Sequence, residues 1–151
     1  MARRIRVVAS RIVDAPIEAV YQFLRDYQVK HPSILPSESF IGYRVEEGGT
    51  GAGTVTSFRM RAGGRERPYR LRVSEPEPGR VLREQDMDSS LVTRFILTAM
   101  DGNTRTNVSI ITQWQGGSGI GGFFERTFAP RATRGVYNRE LDRLAAAVKA
   151  R

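Results

Sequence analysis

Hydrophobic and polar positions alternate along this chain with two different periods. Residues 5–13, from Ile5 to Val13, are rich in β-branched side chains and predict a first strand. Ile17, Val20, Tyr21, Leu24 and Tyr27 then recur at helical spacing and predict a helix with one apolar face. Its start is expected at Asp14-Ala15-Pro16, with Asp14 accepting from free amides and Pro16 in the first turn. It is expected to stop before His31-Pro32, which leaves Ile34-Leu35-Pro36 room for a short second helical turn.

From residue 38 the period changes to two. Strands are predicted at 38–47, 54–62, 66–75, 80–88, 91–100 and 104–115, each pair separated by a turn signal such as Gly63-Gly64, Pro76–Gly79 or Asp101–Asn103. Strands joined by short turns make an antiparallel meander. Phe58 and Met60 share a face opposite Arg59 and Arg61. Tyr69, Leu71 and Val73 oppose Arg70 and Arg72, Phe95 goes with Leu97 and Ala99, and Val108 goes with Ile110, Thr112 and Trp114. The strand at 80–88 is ambiguous. Whether Val81, Arg83, Gln85 and Met87 point inward or Leu82, Glu84 and Asp86 do, polar groups enter the sheet's interior and need partners or a ligand.

The tail from about Phe123 to Lys149 is helical, with Tyr137, Leu141, Leu144 and Val148 as its apolar stripe. Phe124 and Phe128 extend the stripe upstream, and Pro130 predicts a kink or break. With no repeats or linkers, residues 1–151 form one α+β domain. It consists of a curved antiparallel sheet of about seven strands around a long C-terminal helix, with two short helices after the first strand.

Composition narrows the chemistry. The 151 residues include no cysteine, which excludes thiol nucleophiles and cysteine-ligated metals, and a single histidine, which excludes two-histidine mechanisms. No metal or cofactor site is expected. No apolar run reaches the roughly 18–20 residues of a membrane span, and a cytoplasmic protein is expected. The net charge of +8 invites a nucleic-acid reading. Yet every basic residue except Lys30 and Lys149 is arginine, a skew more typical of coding bias, and the arginines are dispersed apart from the stretch Arg59–Arg72. No specific nucleic-acid partner is expected.

Val13-Asp14-Ala15-Pro16-Ile17-Glu18-Ala19-Val20-Tyr21 resembles the opening of the START-like superfamily, in particular its bacterial polyketide cyclase/dehydrase and lipid-transport group. Leu24–Tyr27 followed by Ile34–Pro36, the hairpin ending Gly51-Ala52-Gly53-Thr54, and the terminal helix with Leu141 and Leu144 are also similar. The resemblance implies a helix-grip fold with a cavity between the long helix and the concave sheet. Its members bind lipids, sterols, polyketides, hormones or quinones, and a minority catalyse cyclisation or dehydration. It carries over no catalytic residue.

The candidate ligand-binding residues are Phe58, Met60, Tyr69, Leu71, Phe95, Leu97, Ile110, Trp114, Phe124 and Phe128. Packing and lining are equal readings for them, because a curved sheet gripping one helix leaves space that side chains do not always fill. Three functions follow. The first is a carrier or sensor of a hydrophobic small molecule, marked by an apolar lining with one polar anchor. The second is a cyclase or dehydrase with a tyrosine, arginine or carboxylate as acid/base, marked by an ordered polar pair deep in the cavity. The third is an interaction protein with a vestigial, filled cavity.

Other motifs have plainer readings. Gly117, Gly119 and Gly122 match a dinucleotide fingerprint, but no second parallel strand follows the helix, so a hinge or lid is expected there. Gly48–Gly53 is a hairpin turn. His31 could act as a general base, although a surface or pocket-rim position is expected because the sequence gives it no orienting partner.

Overall fold

The computed structural model describes residues 4–116 and 129–149. The strands are β1 (Arg4–Val13), β2 (Phe40–Glu47), β3 (Val55–Ala62), β4 (Arg65–Glu77), β5 (Val81–Asp86), β6 (Val92–Met100) and β7 (Arg105–Gln115). The helices are α1 (Ile17–Arg25), α2 (Lys30–Ser33) and α3 (Ala129–Ala147).

All seven strands form one antiparallel sheet in the order β1-β7-β6-β5-β4-β3-β2. β1 and β2, neighbours in sequence, are therefore the two edges, and α1 and α2 cross from one to the other. Register shifts between Ile41 and Arg44 on β2, where Gly42 has φ +67°, and between Ser74 and Glu77 on β4 bend the sheet. Val7, Leu82, Phe95, Leu97, Val108 and Ile110 on its concave face pack with Leu24 of α1 and Leu141 and Leu144 of α3 into one core. Burial of each such side chain stabilises the fold by about 1.5–3 kcal/mol.

The ambiguous strand resolves. Leu82, Glu84 and Asp86 are buried, while Arg83 and Gln85 are half-buried on the other face. Asp86 accepts from the Arg70 backbone N–H at 3.0 Å and from Ser89 Oγ at 2.5 Å, so this acid has the partners that burial demands.

Two expectations need correction. Asp14 does not cap α1; it accepts from Arg105 Nε instead. The cap comes from the β6–β7 turn, where Asn103, at φ +64°, accepts the Ile17 N–H at 2.9 Å and donates to Glu18. Second, α1 stops before His31-Pro32 as expected, at Arg25, but the short helix begins at Lys30 and contains His31 and Pro32 rather than following them. Pro130 is the second residue of the described part of α3, and the stretch upstream of it, across which a kink or break was expected, lies outside the described residues. Phe124, Phe128 and the glycine motif at 117–122 lie outside the described residues.

The β2–β3 hairpin docks on the end of α1. Gly51 N–H donates to the Arg25 carbonyl, and a Cβ on Gly51 (φ +63°) would collide with Arg25 and Glu75. Glu75, on β4, accepts from Arg25 at 3.2 Å, from the Tyr21 hydroxyl at 2.6 Å and from the Ala52 N–H at 2.9 Å. Partial burial disfavours its charge, but these three donors prevail and hold its carboxyl down at about 2. No helix among the described residues is long and apolar enough to cross a membrane.

Candidate functional site: a two-chambered cavity with a buried acid–base cluster

Between the concave sheet face and α3 lie two adjoining cavities that share Met60, Tyr69, Leu91 and Tyr137 as walls. The inner chamber holds about 40 Å³ and is closed by Tyr27, His31, Phe40, Tyr43, Phe58, Glu84, Phe95 and Glu140. The outer chamber holds about 110 Å³ and is bounded by Arg65, Arg67, Thr112, Trp114 and Thr133.

Local chain geometry turns His31 inward. After α1, Asp26 Oδ1 accepts the backbone N–H groups of Gln28 and Val29, and the Asp26 carbonyl accepts the N–H of His31. This reversal buries the His31 ring, which is 3% exposed, in place of the surface or rim position expected for it. The ring stacks on Tyr27 with centroids 4.7 Å apart and meets the edge of Phe95 at 5.2 Å.

His31 Nδ1 lies 2.6 Å from the Leu24 carbonyl oxygen, which can only accept, so Nδ1 carries a proton. Nε2 faces Glu140 Oε2 at 3.6 Å. A bare lone pair on Nε2 facing a carboxylate would be repulsive, so the pair holds a further proton between them. Burial opposes the imidazolium, yet Glu140, Glu84 and the Leu24 carbonyl outweigh it and raise the His31 pKa. The 3.6 Å separation is too long for a hydrogen bond, and among the described residues Glu140 Oε2 is a buried oxygen without a hydrogen-bond partner.

Glu84 approaches from β5 and accepts the Tyr27 hydroxyl at 2.8 Å, while Tyr43 donates to the Tyr27 carbonyl at 2.7 Å. Burial pushes the Glu84 carboxyl upward, with Glu140 adding to the effect; His31 and the Tyr27 hydrogen bond oppose it. Burial likewise raises the Tyr27 phenol well above its usual value. Where the chambers meet, Thr93, Thr112 and Tyr137 link their hydroxyls at 2.7 and 2.6 Å. The cluster can donate and accept protons in a water-poor space, the requirement of general acid–base chemistry. No group of three metal-ligating side chains exists among the described residues.

The candidate residues from the sequence separate into groups. Phe58, Met60, Tyr69, Leu71 and Phe95 line the inner chamber, and Trp114 lines the outer one with Met60 and Tyr69. Leu97 and Ile110 are fully buried in the core. Phe124 and Phe128 fall outside the described residues. Tyr27, Tyr43 and Glu140 were not among the candidates. Glu140 left a signal: it lies three residues after Tyr137 and four before Leu144, so a charged side chain occupies the apolar stripe of α3.

The model of the family described as "Polyketide cyclase / dehydrase and lipid transport" matches residues 4–149. No curated protein matches the sequence. The solution structure of the KanY protein is similar at 33% identity, over 97% of this chain and 98% of that one, with a TM-score of 0.84. An aromatase/cyclase from Streptomyces is similar at 15% identity over 97% and 94% of the two chains (TM-score 0.78). A START superfamily protein from Mycobacterium smegmatis is similar at 12% identity over 95% and 96% (TM-score 0.69).

Proposed function

This chain belongs to the polyketide cyclase/dehydrase and lipid-transport family, and on that footing we propose that it binds a small, mostly apolar molecule whose polar head meets the buried cluster. The observation that carries this reading is Glu140 Oε2, an acceptor with no hydrogen-bond donor among the described residues, on the wall of a largely aromatic and aliphatic cavity. A buried polar oxygen left unmet costs about 1–3 kcal/mol, which a ligand donor recovers.

Size limits the ligand. An apolar cavity of about 150 Å³ accepts one benzene ring, so chambers of about 110 and 40 Å³ suit a single ring or a short chain. Titration with phenethyl alcohol, followed by Trp114 emission and by melting temperature, tests the reading. Binding will shift the emission and raise the melting temperature by mass action. Trp114→Phe will silence the emission and keep the thermal shift. If phenethyl alcohol and other single-ring alcohols move neither signal, the reading is wrong.

The proton held between His31 and Glu140 favours a second reading, an acid–base enzyme of the cyclase/dehydrase kind. Turnover lost in His31→Gln with ligand affinity retained would separate it from simple binding.

A further inference from the structure

This protein carries a net charge of +8, and nearly all its cations are arginine. The inner chamber runs against that excess. Among the described residues no arginine or lysine lines it, and its charged walls are two glutamates, Glu84 and Glu140, against one imidazole, His31. The rest of the wall is largely aromatic, with Tyr27, Tyr43 and Phe58 among its rings.

A buried charge must be matched, or the group gives up its ionisation. His31 and Glu140 match each other, which leaves Glu84 without a cation. Burial favours the neutral form of Glu84, whose one hydrogen-bond donor among the described residues is the Tyr27 hydroxyl. A single cationic ligand would change this: Glu84 would ionise and the chamber would remain neutral. The same ligand, if it also donates hydrogen bonds, would meet the orphaned Glu140 Oε2, and its charge would lie among π-faces that attract cations.

Resting on the binding reading above, we infer that the ligand carries a protonated primary amine on a flat apolar body, with its ammonium donating to Glu140 Oε2 and paired with Glu84. The body fills the outer chamber against Met60 and Trp114. Arg65 and Arg67 line that chamber, with the Arg67 guanidinium 5.4 Å from the Tyr69 ring centroid, and so favour placing the ligand's cationic end in the inner chamber, which has no arginine among its described lining. Binding transfers the Glu84 carboxyl proton to the buffer. The titratable groups facing Glu84 are Tyr27 after α1, His31 on α2, Tyr43 on β2, and Tyr137 and Glu140 on α3. The four other than Glu140 are hydrogen-bond donors.

Isothermal titration with phenethylamine, phenethyl alcohol and phenylpropionate tests this at neutral pH. The amine will bind about tenfold or more tighter than the alcohol, as expected for a charge-assisted hydrogen bond in a dry site, and phenylpropionate will bind weakest. The amine's binding enthalpy will vary with the buffer's ionisation enthalpy, which reports the released proton, and Glu84→Gln will abolish that variation. Glu140→Gln will bring amine and alcohol to similar affinity. If either variant fails to melt cooperatively, the other still supplies its readout, and the three wild-type affinities decide by themselves. An amine no tighter than the alcohol, or a carboxylate tighter than both, overturns the inference and leaves small-molecule binding intact. If none of the three binds, both readings fall.

Discussion

Glu75 and Glu84 each accept a tyrosine hydroxyl, from Tyr21 and Tyr27 respectively, yet the two regions hold them in opposite states. Glu75 adds Arg25 and the Ala52 N–H and stays ionised down to about 2. Among the described residues Glu84 accepts only from its phenol, and burial raises it instead. A carboxylate whose acceptor sites are met by its own protein is a structural clamp. One kept short of donors on a cavity wall keeps a charge only at a cost. The number of donors, rather than the kind of acid, separates the two.

The largest effect is expected at His31. His31→Leu strips the donor from the Leu24 carbonyl and leaves Glu140 as a buried charge without a partner, a loss of about 3–5 kcal/mol in urea unfolding. The double variant His31→Leu/Glu140→Leu should recover most of that loss. A single variant costing under about 1 kcal/mol would mean that the pair holds no charge.

Glu75→Ala should cost about 2–3 kcal/mol at neutral pH, because three donors lose one acceptor. The pH profile carries the sharper information. With the folded pKa below the ordinary 4.5, wild-type stability is full above 4.5 and falls as pH drops towards 2. The variant should lack that acid limb, and an unchanged limb would show that other carboxylates drive acid unfolding.

The smallest effect, and one of opposite sign, is expected for Glu84→Gln. Its folded pKa is raised, so the wild type loses stability as pH climbs from 4.5 through that value, and raised His31 adds a loss above 6.5. A neutral amide is spared the first loss. The variant should melt at or slightly above the wild type at pH 8, and a clear fall would place Glu84 with Glu75 as a clamp.

The fold was legible wherever polarity followed geometry. Alternation assigned the faces of β3, β4, β6 and β7, since arginine fell outward and apolar residues inward, as Arg59 and Phe58 do. β5 defied that reading because the buried residues Glu84 and Asp86 are acids, satisfied by the remote Tyr27 hydroxyl in one case and by a backbone N–H and Ser89 in the other. The site was hidden for the same reason. Glu140 lies 109 positions from His31 in the chain, and no local pattern links a helix stripe to a histidine before a proline. The α1 cap likewise came from Asn103, on a hairpin 86 residues away.

The edge position of β1 has a consequence during synthesis. Its whole length pairs with β7, from Arg4 opposite Gln115 to Val13 opposite Thr106. The first strand made must wait for the last, and Asn103, which caps α1, arrives just before it. About 90 residues separate the two strands, roughly 5–20 s at ordinary elongation rates. Throughout that interval Ile5, Val7 and Ala9 have no sheet to enter, and β1 presents an unpaired edge to its surroundings. β1 is therefore exposed to aggregation until β7 is made, and closure of the sheet is a late, long-range event of the kind that slows folding.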